Sequence, residues 1–178
     1  MGFFGNGGGE LRKKIYMVAF FLLVVVIAGV VGKQYDYLYL ANKINVNGLE
    51  LFMKEKEVIE LFGEEDSEVS YCMGCGPNMY YKNLGIFARL SETKQYVKDI
   101  KITNPKYDIL GIKPNQNITK AQNLLEEMGF KLIDSDPIRL SYQYQKKKLT
   151  FEMIIDKQGV IKSVQVEYQV KKDNNIIY

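Results

Sequence analysis

Between residues 139 and 170 apolar and polar side chains alternate through three successive runs. Leu140, Tyr142 and Tyr144 share one side of the first run. Leu149, Phe151, Met153 and Ile155 share one side of the second, and Val164, Val166, Tyr168 and Val170 of the third. Ser141, Gln143, Thr150, Glu152, Ser163, Gln165, Glu167 and Gln169 fall between them. A period of two marks strands with one buried face. RLSYQYQ, KLTFEMIID and VIKSVQVEYQV are therefore predicted to form an antiparallel meander, one face on a core and the other in water. The turns fall at Lys146–Lys147 and over Asp156, Lys157, Gln158 and Gly159.

Ahead of this meander the period changes. Ile118, Ala121, Leu124, Leu125 and Met128 recur at helical spacing and Gly129 closes the run. Asn117 or Thr119 can cap it, with Gln122 completing a Thr-x-x-Gln box. The same order occurs earlier, at a period of about 65 residues. Val58, Ile59, Leu61 and Phe62 form a short helical stripe stopped by Gly63, followed by the strand-like runs NMYYK, IFARLS and YVKDIKIT. Residues 48–103 are thus predicted as a first αβββ repeat and 111–170 as a second. NPKYDILG, with Pro105, gives a linker at 104–110, and 171–178 is a C-terminal tail. Together the repeats make an α+β domain of about 130 residues, long enough for a real core.

The glycine–apolar step before a short helix carrying Glu57–Val58, its end at Leu61–Phe62–Gly63 and the meander that follows resemble the β-lactamase-inhibitor-protein-like repeat. Small lipoproteins of outer-membrane assembly share that superfamily, and similar tandem units occur in exported proteins of Gram-positive bacteria. The resemblance covers about residues 48 to 170. Met53 stands where a small polar cap is usual, the usual proline after Gly63–Glu64 is missing, and the second opening loop is longer. The resemblance implies binding of other proteins by the exposed sheet face. It offers no catalytic residues to carry over.

The N-terminal part has a different texture. MGFFGNGGGELRKK is followed by an uncharged apolar run from Ile15 to Gly32. At 1.5 Å per residue that run spans about 27 Å as a helix, close to a hydrocarbon core of about 30 Å. Tyr16 at one end and Tyr35, Tyr37 and Tyr39 beyond the other match interfacial rings. A cleaved secretory signal is the competing reading, but the run is long for one and lacks an A-x-A-like exit. The expectation is an uncleaved transmembrane helix at 15–32, a cytoplasmic tail at 1–14 and a juxtamembrane linker helix at 33–47. Arg12, Lys13 and Lys14 hold the N-terminus inside. The expected location is the cell membrane, single-pass, with the C-terminal domain extracytoplasmic. The expected fold class is thus α+β, an N-terminal transmembrane helix followed by two helix-plus-three-strand antiparallel repeats.

Composition narrows the chemistry. The formal net charge is +3 and histidine is absent, which argues against nucleic acid and removes the commonest general base and metal ligand. Both cysteines lie in YCMGCG. In an oxidising compartment Cys72 and Cys75 would pair as a disulfide staple. A redox role would call for a helix N-terminus beside them, whereas a strand follows. A metal site would need four ligands. Glu55, Glu57, Glu60, Glu64, Glu65 and Asp66 read as a solvated face interleaved with lysines, and Glu64–Glu65–Asp66 lacks a calcium-loop pattern. Asn117–Ile118–Thr119 is also a glycosylation sequon, which capping explains without a glycan. Lys146–Lys147–Lys148 reads as a solvated turn, and Ala28 with Gly32 as a small-xxx-small pair.

The uncharged polar strand face is the candidate binding surface: Ser141, Gln143, Gln145, Ser163, Gln165 and Gln169. Amide and hydroxyl groups there can bond a protein or peptide at modest desolvation cost, and an ordinary solvated face is the alternative. The functional expectation is a membrane-anchored, extracytoplasmic, non-enzymatic protein-binding module, adaptor or inhibitor-like, in the bacterial cell envelope. The alternative is a membrane-tethered thiol–disulfide protein using Cys72 and Cys75. No cofactor or catalytic residue is expected. The partners expected are an envelope protein or peptide and, through the N-terminal helix, the membrane.

Overall fold

The computed structural model describes residues 16–23, 39–66, 77–93, 96–144 and 149–169. Two units separate, Met1–Leu38 and Tyr39–Tyr178.

In the first unit a helix, α1, covers 16–23. Its described part is about 12 Å long, and no helix among the described residues is long and apolar enough to cross a membrane. This corrects the transmembrane helix expected at 15–32, and with it the single-pass topology and membrane location that rested on it. A spanning helix needs about 20 apolar residues, and the described ones do not supply that length. Ile15 and residues 24–32, with the pair Ala28 and Gly32, lie outside the described residues.

The second unit begins inside what was expected as a linker helix. Residues 39–41 are helical, and Leu40, Ala41, Ile44 and Val46 are buried. A hairpin of β1 (Asn45–Val46) and β2 (Leu49–Glu50) turns at Asn47–Gly48. Helix α2 (Glu55–Phe62) follows, its first turn held by the Glu57 carboxylate accepting from Lys54 N–H at 2.6 Å. It buries Val58 but leaves Leu61 exposed. Then come β3 (Asn78–Tyr81), β4 (Ile86–Leu90) and β5 (Val97–Ile102). Tyr107 and Ile109 are buried in the stretch that leads to helix α3 (Ile118–Glu127). Asn117 caps α3, its side chain accepting from Thr119 N–H at 2.9 Å. Strands β6 (Lys131–Asp136), β7 (Arg139–Tyr144), β8 (Leu149–Ile155) and β9 (Ile161–Tyr168) complete the unit.

Seven strands make one antiparallel sheet in the order β3-β4-β5-β9-β8-β7-β6, beside the two-stranded β1–β2 sheet. The expected pair of αβββ repeats is corrected accordingly. Pairing of β5 with β9, Ile100 opposite Val166, joins both halves in a single sheet, and α3 is followed by four strands. β6 was not foreseen because Lys131, Asp134 and Asp136 give it no buried stripe, and aspartate is disfavoured in strands.

One face of the sheet carries the core. Ile86, Ala88, Ile100, Ile102, Val164, Val166, Phe151 and Met153 are all fully buried on it. Phe130, just past α3, packs its ring 5.2 Å from Tyr144 and 5.9 Å from Phe151. Phe62 of α2 stacks 5.0 Å from Tyr81, whose hydroxyl donates to the Gly63 carbonyl. Burial, with Glu65, Glu64 and Asp66 nearby, pushes the Tyr81 hydroxyl up to about 12.

The β3–β4 turn depends on Gly85, with φ of +64°. A Cβ there would lie 2.8 Å from Thr103 Oγ1 and 2.9 Å from Asn104 Cβ. Gly85→Ala combines a disfavoured backbone with a clash, so it is expected to cost about 1–3 kcal/mol, read from the urea midpoint. An unchanged midpoint would show that the turn relaxes freely.

Candidate functional site

The face opposite the core is organised in cross-strand rows. The register runs Asn78–Arg89–Asp99–Glu167–Thr150–Gln143–Lys131, one residue from each strand. The adjacent row runs Tyr80–Phe87–Lys101–Gln165–Glu152–Ser141–Asp134. Because side chains alternate along each strand, both rows share this polar face.

At its centre Asp99 is fully buried, the only charged side chain so buried among the described residues. Arg89, across the strand pair, directs one guanidinium nitrogen to Asp99 Oδ2 and, at 3.1 Å, to Glu167 Oε1. Gln165 Nε2 donates to the same Asp99 oxygen at 2.8 Å. The arms of the cluster are more open, with side chains 20% exposed at Arg89 and 29% at Glu167. Burial pushes the Asp99 carboxyl up to about 6, with Glu167 adding to the rise, while Arg89 and the Gln165 hydrogen bond hold it down. Desolvation outweighs the ion pair, as expected for a charge removed from water.

Hydrogen-bonding capacity is left over in this row. Asn78 Oδ1, Arg89 Nε, Asp99 Oδ1 and Thr150 Oγ1 are buried and have no partner, four of the six such atoms among the described residues. Each such atom typically costs about 1–3 kcal/mol, so folded proteins hold few, and they seldom gather in one row.

The residues singled out from the sequence divide. Gln143 and Gln165 lie half-buried in the two rows. Ser141 and Ser163 share the face but are buried, at 7% and 6% exposure, which corrects the expectation that they meet water. They are short and sit beneath longer cross-strand neighbours, Glu152 beside Ser141 and Ile154 beside Ser163. Gln169 is exposed just past β9, and Gln145 lies outside the described residues. Cys72 and Cys75 also lie outside them, so no cysteine pair is seen among the described residues and the disulfide staple is not carried forward.

Sequence reasoning missed Arg89, Asp99 and Glu167. A signal was present: Asp99 interrupts a β-branched strand run, and aspartate is depleted in strands unless something holds it. A bulge at Arg89/Leu90 hid the pairing, because it sets Val97 and Asp99, two residues apart, on opposite faces. Among the described residues no three His, Cys, Asp or Glu side chains gather as a metal site would require.

No family model and no curated protein matches the chain. Among solved structures it is similar to an extracellular protein containing a SCP domain from Bacillus anthracis, at TM-score 0.47 and 7% identity over 66% of this chain and 44% of that one. It is also similar to a DUF4309 family protein from Bacillus subtilis, at TM-score 0.40 and 12% identity over 65% of this chain and 78% of that one. The chain spans less than half the length of the first of these.

Proposed function

We propose that this chain is a non-enzymatic binding module that takes a protein or peptide partner on the polar face of its seven-stranded sheet. The observation that carries this reading is the central row, where the half-buried arms of Arg89, Glu167 and Gln143 present donors and acceptors at the surface around the buried Asp99. A polar row already partly desolvated and held in place gives up less hydration and side-chain freedom on docking than a fully exposed one. It therefore suits an occupant that brings its own donors and acceptors. An acid–base role for Asp99 is disfavoured by its complete burial, because a general base must come within hydrogen-bond reach of the substrate.

The test places a photocrosslinking residue at Lys101 or Gln143 on the face, and at Lys56 on α2 as a control, in full-length protein in its source cells. A partner captured from both face positions and not from the control is expected. A variant carrying Lys101→Glu and Gln143→Glu, folded by circular dichroism, should lose that partner's affinity at least about tenfold, because the altered charges would oppose a partner matched to the native face. Identical captures from face and control, or a partner indifferent to the charged face, would remove the proposal.

A further inference from the structure

The strand order ends at β6, and among the described residues nothing pairs with its outer side. The opposite edge differs: Asp66 N–H donates to the Tyr80 carbonyl at 2.9 Å and Asp66 Oδ2 accepts from Lys82 N–H at 2.7 Å. Exposed apolar bulk gathers at the β6 edge. Leu132 is 48% exposed, Ile133 53%, and Ile138 in the following turn 59%. Elsewhere among the described residues of the second unit the only large exposed apolar side chains are Tyr39 and Leu61.

We propose that β6 is the edge by which two copies of this chain pair, antiparallel, into a sheet continuous through both. An unpaired edge strand already presents a ladder of N–H and C=O groups, and proteins usually blunt such an edge. Here the bulge at Ile133 limits the registers available instead.

Charge selects a second copy as the occupant. The strand has Lys131 at one end and Asp134 and Asp136 at the other. Arg139 bonds both aspartates, at 3.1 Å and 3.4 Å, which leaves that end one negative charge in surplus, and it fixes Asp136 in place together with the Ile138 N–H. Antiparallel self-pairing that uses the whole strand sets Lys131 of each copy opposite Asp136 of the other, twice, about a two-fold axis. Lys131 and Asp136 lie on the polar face, and Leu132 and Ser135 on the other, so this register keeps both faces continuous. A slip of one residue sets Lys131 opposite Ser135 and loses both ion pairs, and a parallel pairing sets like charges together.

Sedimentation velocity of the full-length protein over a concentration series tests this. A monomer–dimer equilibrium is expected. Lys131→Asp should weaken it at least about tenfold, and adding Asp136→Lys should restore it to within about threefold, a rescue that association through any other surface would not show. Ile133→Lys, at an outward position that leaves the Asp136–Arg139 contact intact, should also dissociate the dimer, with circular dichroism confirming the fold. A monomer at every concentration overturns the proposal. So does a dimer indifferent to Lys131→Asp and Ile133→Lys, or a folded double variant that fails to re-associate.

Discussion

Replacing Arg89 with methionine is expected to lower stability by about 3–5 kcal/mol near neutral pH, and by much less below about pH 5. Methionine keeps much of the stem volume and removes the charge. Asp99 would then hold a fully buried carboxylate with one hydrogen bond left, from Gln165 at 2.8 Å. Breaking one side of a buried pair is costly because the surviving charge has no compensation. Its escape is to take up a proton, so acid relieves the defect. Urea unfolding of both proteins across a pH series checks this. Equal losses at acid and neutral pH would mean that the arginine stem, and not its charge, is what matters. A second substitution, Asp99→Asn, should recover most of the loss by removing the stranded charge.

The unmodified protein carries the same linkage in milder form. The Asp99 carboxyl is raised from 3.8 to about 6 on folding, chiefly by burial. Between those values the folded chain keeps a proton that the unfolded chain releases. The stabilisation is therefore fully present below the unfolded value and is lost as pH rises towards about 6, a span of about 3 kcal/mol. Asp156 works in the opposite sense. Its carboxyl is lowered by Lys162, at 2.8 Å, and by the Val160 and Gln158 N–H groups, so its contribution is present at neutral pH and is lost in acid. An Asp99→Asn variant should flatten the decline between about pH 4 and 6 and leave the acid limb intact.

The same physics explains which features the sequence made legible. β7, β8 and β9 could be read because one face packs on a core and the other does not, so alternation is imposed on every residue. β6 could not, since an edge strand exposed from Lys131 to Ser135 leaves no stripe to read. The shared sheet was hidden for another reason: alternation assigns faces but not neighbours, and the β5–β9 pairing is set by long-range contacts. Polarity alone also misjudged depth. Serines 141 and 163 are polar yet buried, because a short side chain is shaded by longer neighbours across the strand. The charged centre escaped notice for another reason: alternation counted from Val97 puts Asp99 on the inward face, and only the bulge and the register set it beside Arg89 on the polar one.

The second large effect is expected at the core and bears on the same register. Phe151 is fully buried on β8, opposite Tyr142 on one side and Val166 on the other, with the Phe130 ring 5.9 Å away edge-on. Phe151→Ala should cost about 3–5 kcal/mol through lost apolar burial and the cavity left behind. Unlike Arg89→Met, it should cost the same in acid as at neutral pH, since no titrating group loses a partner. A double-mutant cycle with Phe130→Ala should return a coupling of about 0.5–1.5 kcal/mol, the range for aromatic pairs in contact. The outcome reaches beyond the core. Thr150 and Glu152 flank Phe151, and a shift of one residue along β8 would exchange the two faces. A loss under about 1 kcal/mol would therefore show that Phe151 does not face inward. Thr150 would then leave the polar row, and the surface on which the binding proposal stands would no longer exist in that form.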